Sequence, residues 1–310
     1  MYQDYISARE MAGVIGQPLM TYASVISLML AAVSVYYLAS GKWFGLLARL
    51  LKVQAALLAL GFLVLVWFHV QIYNYVDFIE RLAVPLWIEN EKLYFWALLL
   101  SFFALHSCRK DSKVGASAAI VLAVLSTIVY LYSNPFLEPL PKLHSEIIGW
   151  YSALGTGDQM FIQQAGGQFY GRVVYYYNSE YMWLHPPMLF IAYASLAITF
   201  AACVFMLVGR EMRFDEIAYG YAKIGYLLLT AGMLLGYPWA VAAWSGTSWW
   251  WDPKINGSIM MWVLYSAYLH TRIYDRLWRL SAVLGIVCFL ALVFTYLLTY
   301  IAPGIHSVAQ

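Results

Sequence analysis

Eight apolar runs follow one another through this 310-residue chain: residues 17–40, 53–75, 93–108, 115–132, 186–209, 221–243, 257–271 and 281–301. A helix needs about 20 apolar residues to cross the hydrocarbon core of a bilayer. Runs of this length and number predict an all-α polytopic membrane protein of about eight transmembrane helices. The third and seventh runs are short, so tilt or flanking residues must complete them. Composition excludes the water-soluble alternative. With 63% hydrophobic and 11% charged residues and a mean hydropathy of +0.68, a domain of this size could not keep its apolar surface from water. The expected surroundings are the lipid bilayer. A net charge of +2 carries no signature of nucleic acid or of an acidic partner. No leader with a cleavage site precedes the first run, which begins near Gln17 and reads as a retained anchor. Cys108, Cys203 and Cys288 lack the spacing of a disulfide framework or a thiol redox centre, and read as small core residues.

One polar connection is long, residues 133–185 between the fourth and fifth runs. It divides the chain into an N-terminal four-helix region (1–132), a cap (133–185) and a C-terminal four-helix core (186–310). Orientation follows from the distribution of Lys and Arg. Connections on one side carry twelve of them, Lys42, Arg49, Lys52, Arg109, Lys110, Lys113, Arg210, Arg213, Lys223, Arg272, Arg276 and Arg279. The opposite side carries six. The richer side is the inner one. Both termini, the cap and the loop "WSGTSWWWDPK" (244–254) are then expected on the outer face.

That topology assigns each histidine a depth. His185 and His306 flank the tryptophan loop in sequence and share its side, whereas His106 and His270 share a depth near the inner face. Two imidazoles on opposite sides of a flat macrocycle form a natural haem-iron site, and an indole-lined shelf would cover the apolar faces of the porphyrin. The competing reading is that the tryptophans form an interfacial belt and the histidines merely sit at span boundaries. A belt, however, spreads its rings over many span ends, and these four (Trp244, Trp249, Trp250 and Trp251) crowd into eight residues.

The stretch "WSGTSWWWDPKINGSIMMWVLYSAYLHTR" resembles the tryptophan-rich WWD signature of the haem-handling proteins of cytochrome c assembly, the CcmC, CcmF and CcsA types. Their usual form is close to W-G-x-x-W-x-W-D-P-x-E, matched here by Gly246, Trp249, Trp251, Asp252 and Pro253. "SNPF" (133–136), "LHPPMLFIAYAS" (184–195), "PLWIENEKLYFWALLLS" (85–101) and "APGIHSVA" (302–309) resemble further segments of CcmF, in the same order. Two positions depart from the signature. Ser245 stands at its first tryptophan, with Trp244 one place early, and Ile255 stands at its acid.

The resemblance implies haem b as cofactor and His185 and His306 as external axial ligands of its iron. It makes Trp244, Gly246, Trp249, Trp250, Trp251, Asp252 and Pro253 the haem shelf. His270 matches the transmembrane histidine that holds a second haem, and His106 is its internal candidate partner by depth. The implied activity is presentation of haem for attachment to the Cys-x-x-Cys-His motif of apocytochrome c, as a haem lyase component or a haem exporter, alongside other maturation subunits. The implied location is the prokaryotic cytoplasmic membrane or its organelle equivalent. No residue is assigned a catalytic role beyond orienting haem. Asp252 is expected to accept hydrogen bonds from loop N–H groups. Two rival readings are a haem-b electron-transfer subunit of a quinol-linked complex, and a transporter or structural subunit in which the tryptophans are only a belt.

Overall fold

The computed structural model describes residues 1–78, 81–177, 179–245 and 248–304, with the side chains of residues 299 and 300 excepted. Apart from one isolated bridge between Asp77 and Arg81, the regular structure among these residues is helical. Two long helices come first, α1 (Tyr2–Ser40) and α2 (Phe44–Tyr75). They pack along each other as a hairpin. Gly41 closes α1 in the left-handed region at φ 71°, its N–H bonded to the Tyr37 carbonyl, a helix stop that glycine adopts without steric cost. Next come α3 (Glu91–Lys110), α4 (Ser112–Tyr132), α5 (Pro141–Thr156), α6 (Gln159–Phe169) and the single turn α7 (Tyr175–Tyr177). The chain ends with α8 (Glu180–Gly209), α9 (Arg213–Ala243), α10 (Pro253–Thr271) and α11 (Trp278–Ile301).

Six segments are long and apolar enough to cross a membrane: α1, α2, α4, α8, α9 and Asp275–Leu298, which holds most of α11. The chain is therefore an all-α polytopic membrane protein. The third and seventh apolar runs form α3 and α10, of 20 and 19 residues, whose polar and charged residues keep them out of that set. At 1.5 Å per residue the 39 residues of α1 extend about 58 Å, roughly twice the hydrocarbon core. Its first turns must therefore project beyond the lipid, ahead of the apolar run from which the span was read.

The chain divides into two compact units, Met1–Ser101 with Leu122–Leu184, and Phe102–Val121 with His185–Gln310. In the first unit the projecting turns of α1 build the core of the cap. Tyr5, Ala8 and Ala12 bury with Phe68 and Ile72 of α2, Leu143 and Ile147 of α5, and Phe169 and Val173. The connection 133–185 is thus mostly helical. Asp158 caps α6 by accepting from the N–H groups of Met160 and Phe161, and Glu89 accepts from those of Lys142 and Leu143 at the start of α5.

"SNPF" has a packing role in this unit. The ring of Phe136 fills a slot opened by Gly16 of α1, where a Cβ would come within 1.9 Å of the ring. Buried Gln54 ties three helices together, its amide donating to Ser27 Oγ at 2.9 Å and Ser126 Oγ at 3.2 Å. In lipid such interhelical bonds replace the water these groups have lost.

The second unit places His185 of α8, the end of α9, the start of α10 and the end of α11 at one end of its helices. The opposite end is basic, and three of its cations are paired with acids. Arg272 forms a two-pronged pair with Asp215 (3.0 and 2.5 Å) and lies over the Tyr219 ring. Arg213 meets Asp111 at 3.2 Å, and Lys113 meets Glu211 at 3.5 Å. The Arg213 guanidinium holds the Glu211 carboxyl below the ordinary range. Cys203 and Cys288 are buried and all three cysteines are free thiols.

Candidate functional site

The described residues of the tryptophan loop are held by the two helices it joins. Residues 249–251 form a 3-10 turn, and Asp252 and Pro253 then start α10 in the way helices are commonly started. Asp252 occupies the N-cap, with Oδ1 accepting from the N–H groups of Lys254 at 3.0 Å and Ile255 at 3.3 Å. Pro253 takes the first helical position, where its missing N–H costs nothing and its fixed φ suits the helix. The Asp-Pro pair is therefore a helix start signal, and the expected acceptor role of Asp252 has this geometry. An acid at position 255 would sit at the third helical residue and complete a reciprocal capping box. With Ile255 there, the N–H of Asp252 goes instead to the Trp249 carbonyl at 3.1 Å. Asn256 braces the turn from below, its amide donating to the carbonyls of Trp250 and Asp252.

On this base the indoles are graded in exposure. Trp249 is 7% exposed, Trp250 50% and Trp251 80%. Trp249 and Trp250 stack with centroids 3.9 Å apart, and Tyr237 of α9 meets both, at 5.9 and 5.4 Å. Trp244 packs edge-on against Trp239 at 4.7 Å. Gly246 falls outside the described residues.

His185 reaches the same end of α9 from α8. Its Nδ1 lies 2.6 Å from the Gly232 carbonyl oxygen. A carbonyl only accepts, so Nδ1 carries a proton, and in the neutral ring the lone pair is on Nε2. The ring lies directly on Gly236, where a Cβ would be 2.7 Å from Cε1. Gly236 and Tyr237 are consecutive, so adjacent residues of one helix support the imidazole and the indole stack. Pro186 and Pro187 sit within α8 immediately after His185. Pro186 has no N–H to offer the Met182 carbonyl, and that oxygen accepts from Trp87 Nε1 at 2.7 Å instead. Sequence reasoning missed Gly232, Gly236 and Tyr237. The only available signal was the Gly-x-x-x-Gly-Tyr spacing within α9.

His306 also lies outside the described residues, which end at Gly304. Gly304 passes so close to the cap that a Cβ would stand 2.6 Å from Asp252 Oδ2 and 2.9 Å from Pro253 Cδ.

His270 and His106 fall at the basic end of the second unit. His270, exposed on the last turn of α10, donates from Nδ1 to the Ser266 carbonyl at 2.8 Å, which again leaves the lone pair on Nε2. Ser266 Oγ in turn pairs with Tyr226 Oη of α9 at 2.8 Å. His106, also exposed, sets its ring edge-on to Tyr221 of α9 at 6.2 Å. Both histidines thus neighbour α9. His69, in the first unit, has both nitrogens engaged, Nδ1 with the Val84 carbonyl at 2.8 Å and Nε2 with Glu91 Oε1 at 2.9 Å.

Apolar helices with an imidazole and a stacked-indole loop gathered at one end define a polytopic membrane protein with an aromatic surface site. A family model described as "Cytochrome C assembly protein" matches residues 86–306. That is well over half of the chain and includes every one of these elements, so the chain belongs to this family. It is similar to curated proteins named "Cytochrome c biogenesis protein CcsA". That of Chlamydomonas reinhardtii is 29% identical over 203 residues, 60% of this chain and 57% of that protein. That of Prochlorococcus marinus (strain NATL2A) is 40% identical over 97 residues, 30% of each chain. That of Gloeobacter violaceus is 41% identical over 96 residues, 30% of this chain and 28% of that protein. The matched region thus spans little more than half the length of the first relative and less than a third of the others.

Proposed function

We propose that this protein acts in cytochrome c biogenesis by binding haem b at the outer face of the membrane and presenting it for covalent attachment to a Cys-x-x-Cys-His apocytochrome c. It would work as a haem lyase or as the component that delivers haem to one, with other membrane subunits of the maturation machinery as partners. The observation that carries the reading is the His185–Gly232 bond beside the Tyr237–Trp249–Trp250 stack.

The residues suit the group. A neutral imidazole with Nδ1 bonded to a carbonyl is a more basic iron ligand with a fixed ring orientation. The exposed Trp250 and Trp251 offer apolar area for a porphyrin face next to it. His185 and His306 would hold the haem iron. His306, on the chain that leaves α11, suits exchange with the incoming histidine of the substrate better than one packed into a helix. Haem supplies two vinyl groups, to which the two substrate thiols add. The protein's own contribution is orientation and the exclusion of competing poses, which for such a reaction is the main lever available. Asp252 holds the shelf through the α10 cap. At the basic end, taken as the inner face by the positive-inside rule, His270 would hold a second haem within the membrane, with His106 as internal partner.

Spectra of the purified protein in detergent, oxidised and reduced, test this reading when repeated on His185→Ala, His306→Ala and His270→Ala. The expected result is loss of the outer haem signal in the first two variants with retention of the His270-dependent one. A colourless wild type refutes haem binding. Haem kept in both outer variants and lost in His270→Ala would favour the electron-transfer reading. Holocytochrome production that survives loss of both outer histidines would refute the presentation mechanism.

A further inference from the structure

Two prolines follow His185 directly within α8, and each takes one hydrogen bond out of the helix. Pro186 has no N–H for the Met182 carbonyl, and Pro187 has none for that of Trp183. The turn that carries His185 therefore lacks two consecutive rungs of its ladder, at the kind of position where helices bend. Trp87 replaces one of them, its Nε1 donating to the Met182 carbonyl at 2.7 Å. The same indole meets the Trp183 ring edge-on at 6.1 Å and the Phe95 ring at 5.2 Å. It thus touches both residues whose carbonyls the prolines leave over. Trp87 is itself mounted on a fixed segment. Val84 and Ile88 on either side of it are each 2% exposed and belong to the core of the cap. The Val84 carbonyl meets His69 Nδ1 at 2.8 Å, and the Ile88 carbonyl accepts from the N–H of Glu91 at 2.9 Å. Trp87, Met182 and Trp183 all lie in the first unit.

We infer that Trp87 is a positioning residue for the outer haem ligand. Its indole N–H stands in for the backbone donor that Pro186 lacks, and so fixes the turn of α8 from which His185 reaches the Gly232 carbonyl. The inference rests on the haem reading above. His185 lies three residues past Met182 in the same helix, about 4.5 Å along its axis, so a shift at the Met182 carbonyl is passed along the helix backbone to the imidazole. The ring has little latitude, with Nδ1 2.6 Å from its carbonyl and Cε1 against Gly236. Packing alone does not meet this need, because a carbonyl withdrawn from water requires a donor. Trp87 acts through α8 and touches no reacting group. The segment 85–101, singled out in sequence only by its resemblance, acquires a role at its third residue.

The test makes Trp87→Phe in the wild type and in Pro186→Ala, each as the full chain purified in detergent. Phenylalanine keeps a ring against Phe95 and Trp183 but removes the N–H. Alanine at position 186 gives the Met182 carbonyl a donor from within the helix. Without haem, amide exchange of residues 183–185 and 188–190 should be several-fold faster in Trp87→Phe than in the wild type. In the Pro186→Ala background the same change should leave exchange unaltered. With haem, Trp87→Phe should weaken the outer, His185-dependent site about tenfold, the lower end of what outer-shell partners of a metal ligand are worth. The His270-dependent signal should stay as it was, and the outer loss should vanish in the Pro186→Ala background. Equal losses in both backgrounds would trace the effect to packing and overturn the inference, as would unchanged exchange in Trp87→Phe. Faster exchange with full outer affinity would overturn the positioning role while leaving the haem reading intact. A colourless wild type would remove the haem reading, and the inference with it.

Discussion

His185 and Gly232, 47 positions apart, are joined by a 2.6 Å bond from the imidazole Nδ1 to the backbone carbonyl. This contact determines which ring nitrogen keeps its lone pair, and Gly236 one turn further on provides the space that lets the ring lie there. Replacing Gly236 with Ala should push the imidazole off its carbonyl. Outer-shell bonds of this kind are worth about 10–100-fold in metal affinity. A haem titration of Gly236→Ala should show a loss of that size at the outer site and none at the His270 site. Equal affinity in variant and wild type would show that the Gly232 bond is dispensable.

The α10 cap makes a second, separable prediction. Asp252→Ala should lower stability by about 1–2 kcal/mol, the usual effect of removing an N-cap acceptor. Ile255→Glu should raise it slightly by supplying the reciprocal half of a capping box. Thermal unfolding in detergent should rank Ile255→Glu above wild type and wild type above Asp252→Ala. An unchanged midpoint in Asp252→Ala would argue against the cap.

His69 separates structure from ligation. Removing it by His69→Ala strands Glu91, which is 1% exposed, as a buried acid without its partner. Breaking such a pair costs about 3–5 kcal/mol. The variant should denature at markedly lower denaturant, yet the haem bound per folded protein should equal that of the wild type. Loss of one haem at full folding would instead make His69 a ligand.

The cap should loosen in acid. His144 Nδ1 pairs with Tyr5 Oη at 3.0 Å, and burial together with the nearby Arg9 depresses its pKa below the usual 6.5. A histidine with a depressed folded pKa contributes stability that is full above its unfolded pKa and is lost as pH falls through the folded one. Hydrogen exchange in α5 should therefore accelerate as pH drops below about 6.5, after correction for intrinsic rates. His144→Gln should flatten that dependence, and a wild-type profile already flat would refute it.

Much of this was legible from local pattern. Apolar runs marked the membrane helices because each run is a property of about 20 consecutive residues and the bilayer responds to little else. The limits of α1 were not legible. Tyr2–Gly16 continues the helix because Tyr5, Ala8 and Ala12 find a core in the cap, and that core is assembled from residues as far along the chain as Phe68, Leu143 and Val173. "SNPF" carried a resemblance but no visible function until Phe136 was found in the slot at Gly16. In sequence, Ile255 is only a departure from the signature's acid, whereas in the fold that position is the third residue of a helix capped by Asp252.

The sequence by itself determined the solvent, the helical class and the crowding of tryptophans before Asp252-Pro253, because hydropathy and helix starts are written in neighbouring residues. Only the tertiary structure decided which nitrogen of His185 meets a backbone carbonyl, which indoles stack and where Gly304 lies. Those outcomes depend on a carbonyl of α9, a tyrosine beside it and a glycine passing over a buried carboxylate. No local pattern ranks such contacts, because they exist only once separate helices have packed.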